Sequence, residues 1–395
     1  MTISSVEQAH LPRGGGRADD AVHADDEALL AAERDVVGGA SHSYLGLVWR
    51  RFRRNWLGMS GAVLVALLLL VAVFANVLAP YDPGARNRDN IYLPPQSLHF
   101  TSDEGFHPIP YTYPITMELD PTTYLLVATE DTSHQCTVDL FGQGWSYEFL
   151  GMTMNRHLFT PAEGCSWHVL GTDRDGRDMF SRLLVGSRLT LLMAGLVVAI
   201  SVVVGVSIGM VSGYFGGTVD HWIQRVVEFF LALPELPFFF ALVAIIPRNA
   251  DPFSVFLMLA CILALMKWAQ LAREVRGKTL SISRLDYIAA AEAIGARTPR
   301  IVGRHILPNV MSHVIVATTL MIPTIVLAES FLSFLGLGVR PPLVSWGMLL
   351  NAANDLQNLG SYPWVLTPVV AILITVLGFN MLGDGLRDAI DPYQH

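Results

Sequence analysis

Charged side chains are scarce in this sequence of 395 residues, of which Asp, Glu, Lys and Arg together make up 15%. Ordinary soluble domains carry about 25%. The net charge of −8 comes with no segment basic enough to suggest nucleic acid as a partner. Three cysteines are too few for a disulfide framework or a cysteine-rich metal site.

The sequence also lacks the motifs of common enzymes. The polar segment 82–168 contains no GxSxG, no HExxH and no convincing pair of carboxylates. Gly277, Lys278 and Thr279 imitate the end of a phosphate-binding loop, but Ala272 stands where that motif requires glycine. We therefore expect no covalent chemistry and no nucleotide site in this chain.

Apolar residues are abundant instead, at 52% of the chain. They gather into runs of about 20 residues, the length that a helix needs to cross a hydrocarbon layer of about 30 Å. Gly195, Gly205 and Gly209 lie in the second run and predict close helix packing. The fold expected is an all-α polytopic membrane protein with six spans, at 57–78, 189–211, 221–246, 253–271, 310–327 and 365–382.

Cations predict which side of the membrane each polar segment occupies. Four arginines, Arg50, Arg51, Arg53 and Arg54, precede the first span, and seven cations lie within 273–305. The positive-inside rule places both segments, and with six spans both termini, in the cytoplasm. Residues 1–44 predict a disordered cytoplasmic tail, and 45–81 an amphipathic region followed by the first span.

A polar, proline-rich and aromatic segment separates the first two spans. Its short runs predict a small β-rich extracytoplasmic insert at 82–168. Cys136 and Cys165 could form a disulfide there in an oxidising compartment, or remain two free buried thiols. The five histidines of this segment match no metal-ligand spacing, so no metal site is expected; they are His99, His107, His134, His157 and His168.

The segment 286–309 is polar and arginine-bearing between two apolar runs, and it predicts a structured loop where a partner docks. Small side chains along a helix allow a partner to approach the backbone closely. The alternative is an ordinary helix in which alanine is present only because of its high helix propensity. The candidate docking residues are Tyr287, Ala289, Ala290, Ala291, Glu292, Gly295, Ala296 and Arg297.

Ionisable residues and prolines within spans are candidates for a translocation path or gate. Arg225 and Glu228 can pair on one helical face, either as a relay or as a structural pair near the boundary. Pro234 and Pro237 predict a kink, which could be a hinge or simply tolerated. Weaker candidates are Glu329 and Asn380, which packing or interhelical hydrogen bonds would equally explain.

Four stretches resemble one family, the permease subunits of ATP-binding-cassette (ABC) importers for dipeptides, oligopeptides, nickel and opines. They are GTDRDGRDMFSRLLVGSRLTL at 171–191, ESFLSFLGLGVRPPLVSWG at 329–347, GFNMLGDGLRDAIDP at 378–392, and segment 286–309 with its Ile-Leu-Pro ending. WRRFRRNWLGMSGAVL resembles the N-terminal domain of the C-type permease. The coupling motif of this family has a glutamate where this chain has Ala289, with Glu292 three residues later.

The resemblance implies the type I importer fold, with a permease core at 169–395 and an ATPase-coupling loop at 273–309. It implies a bacterial inner-membrane protein that moves short peptides or related solutes. The implied partners are a second permease, two ATPase subunits that bind ATP and Mg²⁺, and a periplasmic solute-binding protein. No cofactor is implied in this chain.

Two other classes of protein remain alternatives. An ion-coupled secondary transporter would be expected to show inverted repeats and charges at mid-membrane depth. A membrane-anchored enzyme would carry its activity in segment 82–168.

Overall fold

The computed structural model describes residues 44–390 except 103–104, 120, 122–125, 150 and 163. The tail expected at 1–44 therefore lies outside the described residues, apart from Tyr44. Helix α1, Tyr44–Arg54, is an amphipathic helix with the sequence YLGLVWRRFRR. Asn55 caps the following helix, because its side-chain Oδ1 accepts a hydrogen bond of 3.0 Å from the Gly58 amide.

Five helices of the described chain are long and apolar enough to cross a membrane, or six spans if one bent pair counts as one. The unbent spans are built on α2 (Trp56–Val73), α4 (Met179–Phe215), α7 (Pro252–Ile282), α10 (Leu307–Phe334) and α13 (Thr367–Ile390). A short helix α3, Ala75–Leu78, extends the first, and two more short helices, α11 (Trp346–Leu350) and α12 (Leu356–Ser361), lie between α10 and α13.

The third predicted span is broken rather than kinked. Helices α5 (Gly217–Ala232) and α6 (Glu235–Val243) meet at 88°. The sequence predicted one kinked helix over 221–246, and the structure has two separate helices there. Pro234 directly precedes α6, and Pro237 lies in its first turn, where the missing amide removes no helical hydrogen bond. The two prolines thus end one helix and begin the next.

Several helices are longer than the apolar runs that predicted them. Helix α4 begins ten residues before the expected 189, because Asp178 accepts a hydrogen bond from the Ser181 amide and caps it. Helix α7 continues to Ile282, so the first part of the loop expected at 273–309 is helical. Apolar composition marks only the part of a helix within hydrocarbon, whereas the caps determine its ends.

Helices α4 and α7 pack closely along a glycine face of α4. A Cβ on Gly209 would lie 2.5 Å from the Ala272 carbonyl oxygen, and one on Gly205 would lie 3.0 Å from that of Trp268. The expected close packing is confirmed at these two glycines. It was wrong for Gly195, which has nothing within 4 Å of the added Cβ and therefore lies off this contact face.

The insert is β-rich, as expected. Its strands are β1 His99–Ser102, β2 Gly105–Thr112, β3 Ile115–Leu119, β4 Leu126–Glu130, β5 Cys136–Leu140, β6 Gln143–Phe149, β7 Met152–Arg156 and β8 Phe159–Pro161. One four-stranded antiparallel sheet has the order β1-β2-β5-β8, and β3-β4 and β6-β7 form two hairpins. Cys136 on β5 forms a disulfide with Cys165.

Polar contacts join the β region to the end of the first span. The Trp145 indole N–H donates to the Ala79 carbonyl at 3.2 Å, and the two ring nitrogens of buried His157 lie 2.9 and 3.0 Å from the Asn76 and Trp145 carbonyl oxygens. Burial raises the pKa of the Tyr81 phenol, so its neutral hydroxyl accepts the Trp167 amide at 2.8 Å.

On the other side of the junction, the rings of Tyr92 and Tyr362 stack with centroids 3.9 Å apart. The Trp364 indole N–H donates to the Thr172 carbonyl at 3.0 Å. Tyr362 and Trp364 lie just before α13, so the segment between the first two spans also contacts the start of the last one.

Substitution of Gly209 tests the α4–α7 contact. Gly209→Leu should destabilise the protein by about 1–3 kcal/mol, since the added side chain overlaps the Ala272 backbone. Gly195→Leu is the matched control on the same helix and should be near neutral. Thermal unfolding of both purified variants in detergent measures the difference, and equal midpoints would contradict the close packing.

Candidate functional site

The candidate docking segment connects α7 to α10. It contains α8 (Asp286–Ala293), α9 (Thr298–Ile301) and one π-helical turn (Val302–Ile306). Three isoleucines bury it against the hydrophobic core of the spans: Ile288, Ile301 and Ile306 are each at most 1% exposed. A displacement of this segment therefore has to move the core residues that contact it.

The predicted docking residues fall on two faces of this segment. Tyr287, Ala289, Ala290, Glu292, Gly295 and Arg297 are exposed, and Ala296 is half-buried. Ala291 is buried beside Ile288 on the inner face, so it contributes packing rather than docking surface. The outer face is thus built mainly from small side chains, with Tyr287 and Arg297 as its large members.

Gly295 has a backbone role that the sequence alone did not identify. Its φ of +82° lies in the left-handed region, and the Gly295 and Ala296 amides donate to the carbonyls of Glu292 and Ala291. These two bonds form a Schellman motif that ends α8. The end of α8 therefore favours glycine at this position, and the expected role of Gly295 in leaving room for a partner stays a prediction.

Ile294 is the most exposed apolar side chain of the segment and was missing from the predicted set. It is 87% exposed at the end of α8, and Tyr287 on the same helix is 44% exposed. Together these two side chains give the outer face of the segment an exposed apolar component. The usable sequence signal was an isoleucine immediately before the helix-ending glycine.

Glu292 ties the docking segment to the core. The Tyr214 hydroxyl, near the end of α4, donates to Glu292 Oε1 at 3.1 Å. The Asn309 amide nitrogen lies 3.4 Å from the Tyr287 hydroxyl and donates to the His305 carbonyl at 2.6 Å. Ala289 occupies the position where the family motif has glutamate. The carboxylate of Glu292, three residues later, instead contacts α4 through Tyr214.

A second polar cluster, also missed from the sequence, joins α5 to α7. Arg276 donates from Nε and a terminal nitrogen to both oxygens of Asp220, at 2.6 and 2.5 Å. Ser212 of α4 donates to Asp220 Oδ1 at 2.5 Å. The partners lie 56 residues apart in sequence, so spacing could not indicate the pair, whose bidentate geometry favours a fixed orientation.

The candidates for the translocation path lie in separate groups. Arg225 and Glu228 form an ion pair of 2.9 Å with side chains 61% and 59% exposed. Pro234 and Pro237 form the break between α5 and α6. At that break the structure adds an ion pair that the sequence did not suggest, between Lys267 Nζ and Glu235 Oε1 at 2.5 Å.

Glu329 is fully buried near the end of α10. Its Oε1 accepts hydrogen bonds from the Ser333 hydroxyl at 2.7 Å and the Ser345 hydroxyl at 2.8 Å. It therefore fastens the segment after α10 onto that helix, which agrees with the interhelical hydrogen-bonding interpretation rather than solute contact. Asn380 is half-buried on α13.

The residues of the 171–191 stretch secure the start of α4. Asp173 accepts from the Asp175 and Arg177 amides, from Arg177 Nε at 2.9 Å and from Arg182. Asp178 caps the helix and also contacts His168 Nδ1 at 2.9 Å. This motif therefore has a structural explanation in the fold.

Within the described ranges, no group of three or more His, Cys, Asp or Glu side chains is arranged to hold a metal ion. His157 and His168 have the backbone and carboxylate contacts described above. Gly277, Lys278 and Thr279 lie inside helix α7, which gives them no loop around a phosphate.

Two family models match the chain. One, described as "binding-protein-dependent transport system inner membrane component", matches residues 205–394. The other, "N-terminal TM domain of oligopeptide transport permease C", matches residues 43–95. The first range contains α7, the docking segment and α10, and the second contains α1 and α2.

Curated proteins show the same similarity over most of their length. The chain is 31% identical to an oligopeptide transport system permease protein OppC of Bacillus subtilis, over 87% of each chain. It is 30% identical to a dipeptide transport system permease protein DppC of the same organism, over 91% of this chain and 89% of that one. A solved structure of the MetNI methionine ABC transporter aligns at 19% identity with a TM-score of 0.43, over 54% of this chain and 98% of that one.

Replacement of Gly295 tests its role in ending α8. Gly295→Ala should destabilise this turn by about 1–2 kcal/mol, because a side chain disfavours the left-handed conformation. The control is Gly277→Ala within α7, which has free space and should be neutral or slightly stabilising. Hydrogen exchange across 286–296 should accelerate only in Gly295→Ala; matched rates would show that the turn does not depend on glycine.

Proposed function

The chain belongs to the family of binding-protein-dependent transport system inner membrane components, among the peptide permeases, and we propose that it lines half of an ATP-driven import path for short peptides. The observation that carries this proposal is the docking segment 286–309. Its inner face is packed into the core of the spans, while its outer face presents Ile294 and small side chains. Such a segment can receive a partner's motion and pass it to the spans.

The partner proposed at this segment is an ATPase subunit, which would bind ATP and Mg²⁺ itself. Two such subunits, a second permease of the same fold and an external solute-binding protein complete the proposed assembly. The permease does no covalent chemistry in this scheme. It converts a movement of the docking segment into a change in which side of the membrane the path faces.

Two contacts connect the docking segment to the spans, and a third connects α7, which leads into that segment, to α5. Ile288 packs into the core, Glu292 contacts Tyr214 of α4, and Arg276 holds Asp220 at the start of α5. Helix α5 leads directly to the break at Pro234. Closure of the ATPases would therefore act through α4 and α7 on the broken span, where a change of backbone angle needs no loss of helical hydrogen bonds.

We propose that the docking segment and both termini lie in the cytoplasm and that the β region lies outside the inner membrane. The cations of α1 and of the docking segment support this orientation. The disulfide between Cys136 and Cys165 supports it independently, because disulfides persist in oxidising compartments.

Short peptides are the proposed solutes, because relatives over most of this chain are named as oligopeptide and dipeptide permeases. Family membership favours this function over the two alternatives raised by the sequence. An ion-coupled transporter would retain uptake without an ATPase, and an enzyme would retain activity in an isolated β region.

Substitution of Ile294 tests the ATPase interface. Ile294→Asp should weaken ATPase binding by about 2 kcal/mol or more, roughly 30-fold, because the proposed interface would bury a charge in place of an exposed apolar side chain. Co-purification and peptide-dependent ATP hydrolysis measure the effect. Leu140→Asp is the control: this leucine of β5 is 67% exposed and lies outside the docking segment, so the variant should bind the ATPase normally. Normal ATPase binding by Ile294→Asp would contradict the proposed interface.

Thiol labelling tests the orientation of the β region. Cys136→Ser, combined with Cys261→Ala, leaves Cys165 as the sole thiol. A membrane-impermeant maleimide should label it in spheroplasts and not in sealed inside-out vesicles. The Cys261→Ala chain, with its disulfide intact, should stay unlabelled in both. Labelling only in inside-out vesicles would reverse the proposed orientation.

A further inference from the structure

An ion pair lies at the break in the third span. Glu235 is the first residue of α6, directly after the 88° bend, and its Oε1 lies 2.5 Å from Lys267 Nζ of α7. The Lys267 side chain is 12% exposed, whereas that of Glu235 is 44% exposed. The pair is therefore asymmetric: the lysine is enclosed by the protein and the carboxylate is open.

The pair lies at membrane depth. Lys267 follows Pro252, where α7 begins, by about 22 Å of helix, which is inside a hydrocarbon layer of about 30 Å. Its neighbours Met266 and Trp268 are buried. Ionised side chains at this depth are costly against lipid, and in membrane proteins they face the protein interior or a water-filled cavity. An aqueous path on this side of the break would account for a charged carboxylate at this position.

Polar residues continue from this point along α7. Gln270 and Glu274 follow Lys267 at helical spacings of three and four, so the three lie along one side of the helix. The Gln270 amide donates to Glu274 Oε1 at 3.2 Å, and His313 Nε2 of α10 lies 3.2 Å from Glu274 Oε2. A polar stripe therefore runs from the break towards the docking segment.

Glu235 has the chemistry to bind a cation. Lys267 contacts Oε1, and no described residue donates a hydrogen bond to Oε2. A carboxylate accepts hydrogen bonds at both oxygens and binds ammonium groups through charge-assisted bonds. Lys267 is the enclosed member of the pair, so it orients the Glu235 carboxylate. Glu235 is the member that a solute can reach.

We propose that Glu235, positioned by Lys267, is a subsite of the translocation path that binds the α-ammonium group of a peptide in transit. Lys267 is a positioning residue, and Glu235 is the group that touches the solute. The pair would also favour peptides with a free amino terminus over blocked ones. This inference rests on the proposed function for its solute, but the accessibility of the pair to water does not.

Thiol chemistry on the assembled transporter tests accessibility first. Glu235→Cys in a Cys261→Ala chain should react with charged methanethiosulfonates, and about tenfold faster with the anionic reagent than the cationic one, because Lys267 is left unpaired. Adding Lys267→Met should abolish that preference. Leu67→Cys, exposed at mid-depth on the first span, is the control for a lipid-facing position.

Two results would overturn the aqueous subsite. One is reaction of Glu235→Cys no faster than that of Leu67→Cys. The other is a charge preference that survives Lys267→Met, since the attraction would then come from elsewhere. Both readouts are independent of transport, so they stand even if the protein carries a different solute.

Uptake into proteoliposomes with the partner subunits tests the ligand. Glu235→Gln should lower ATP-dependent uptake of trialanine about tenfold and leave N-acetyl-trialanine uptake unchanged, while Glu235→Asp retains most of the trialanine rate. The same solute-binding protein serves every variant, so a changed ratio reports the permease. Equal losses for both peptides, or wild-type trialanine uptake by Glu235→Gln, would refute the ammonium subsite. A wild-type assembly that imports neither peptide would instead refute the proposed function.

Discussion

Backbone amide and carbonyl groups inside a hydrocarbon layer have no water to bind, and this constraint governs the spans of the chain. Five spans answer it with long, continuous helices, and the third span is the exception. Between Ala232 and Glu235 the helix stops and restarts at 88°. Irregular backbone at that depth is tolerated where it is covered by protein or borders a water-filled cavity, and the proposed path beside this break would be such a cavity.

Helix α7 connects this break with the docking segment. It carries Lys267 beside the break, Glu274 against α10, and Arg276 against the first turn of α5. At its far end it runs into α8 within four residues. Because a helix transmits displacement along its axis with little loss, one element links the exposed partner surface to the open carboxylate of Glu235.

Periodicity and composition were sufficient to predict the apolar spans and the β-rich insert, whereas docking of a partner at 286–309 stays a prediction. They failed where the determining contact joins distant residues. Asp220 with Arg276 and Glu235 with Lys267 each unite two helices, and no local pattern marks either pair. Gly195 and Gly209 look alike in sequence, yet only one of them faces α7, because the direction of a helix face is set by its neighbours. The role of Gly295 in ending α8 could not be predicted, since its φ is visible only in the folded chain.

The junction of the β region with the spans implies an order of assembly. Its disulfide closes a loop of 29 residues, and the strands pair with near neighbours in sequence, so the region can fold as soon as it has been synthesised. The bond from Trp364 to Thr172, in contrast, joins residues 192 apart. In a chain made from its amino terminus, that contact cannot form until Trp364 has been synthesised, long after Thr172 and all eight strands.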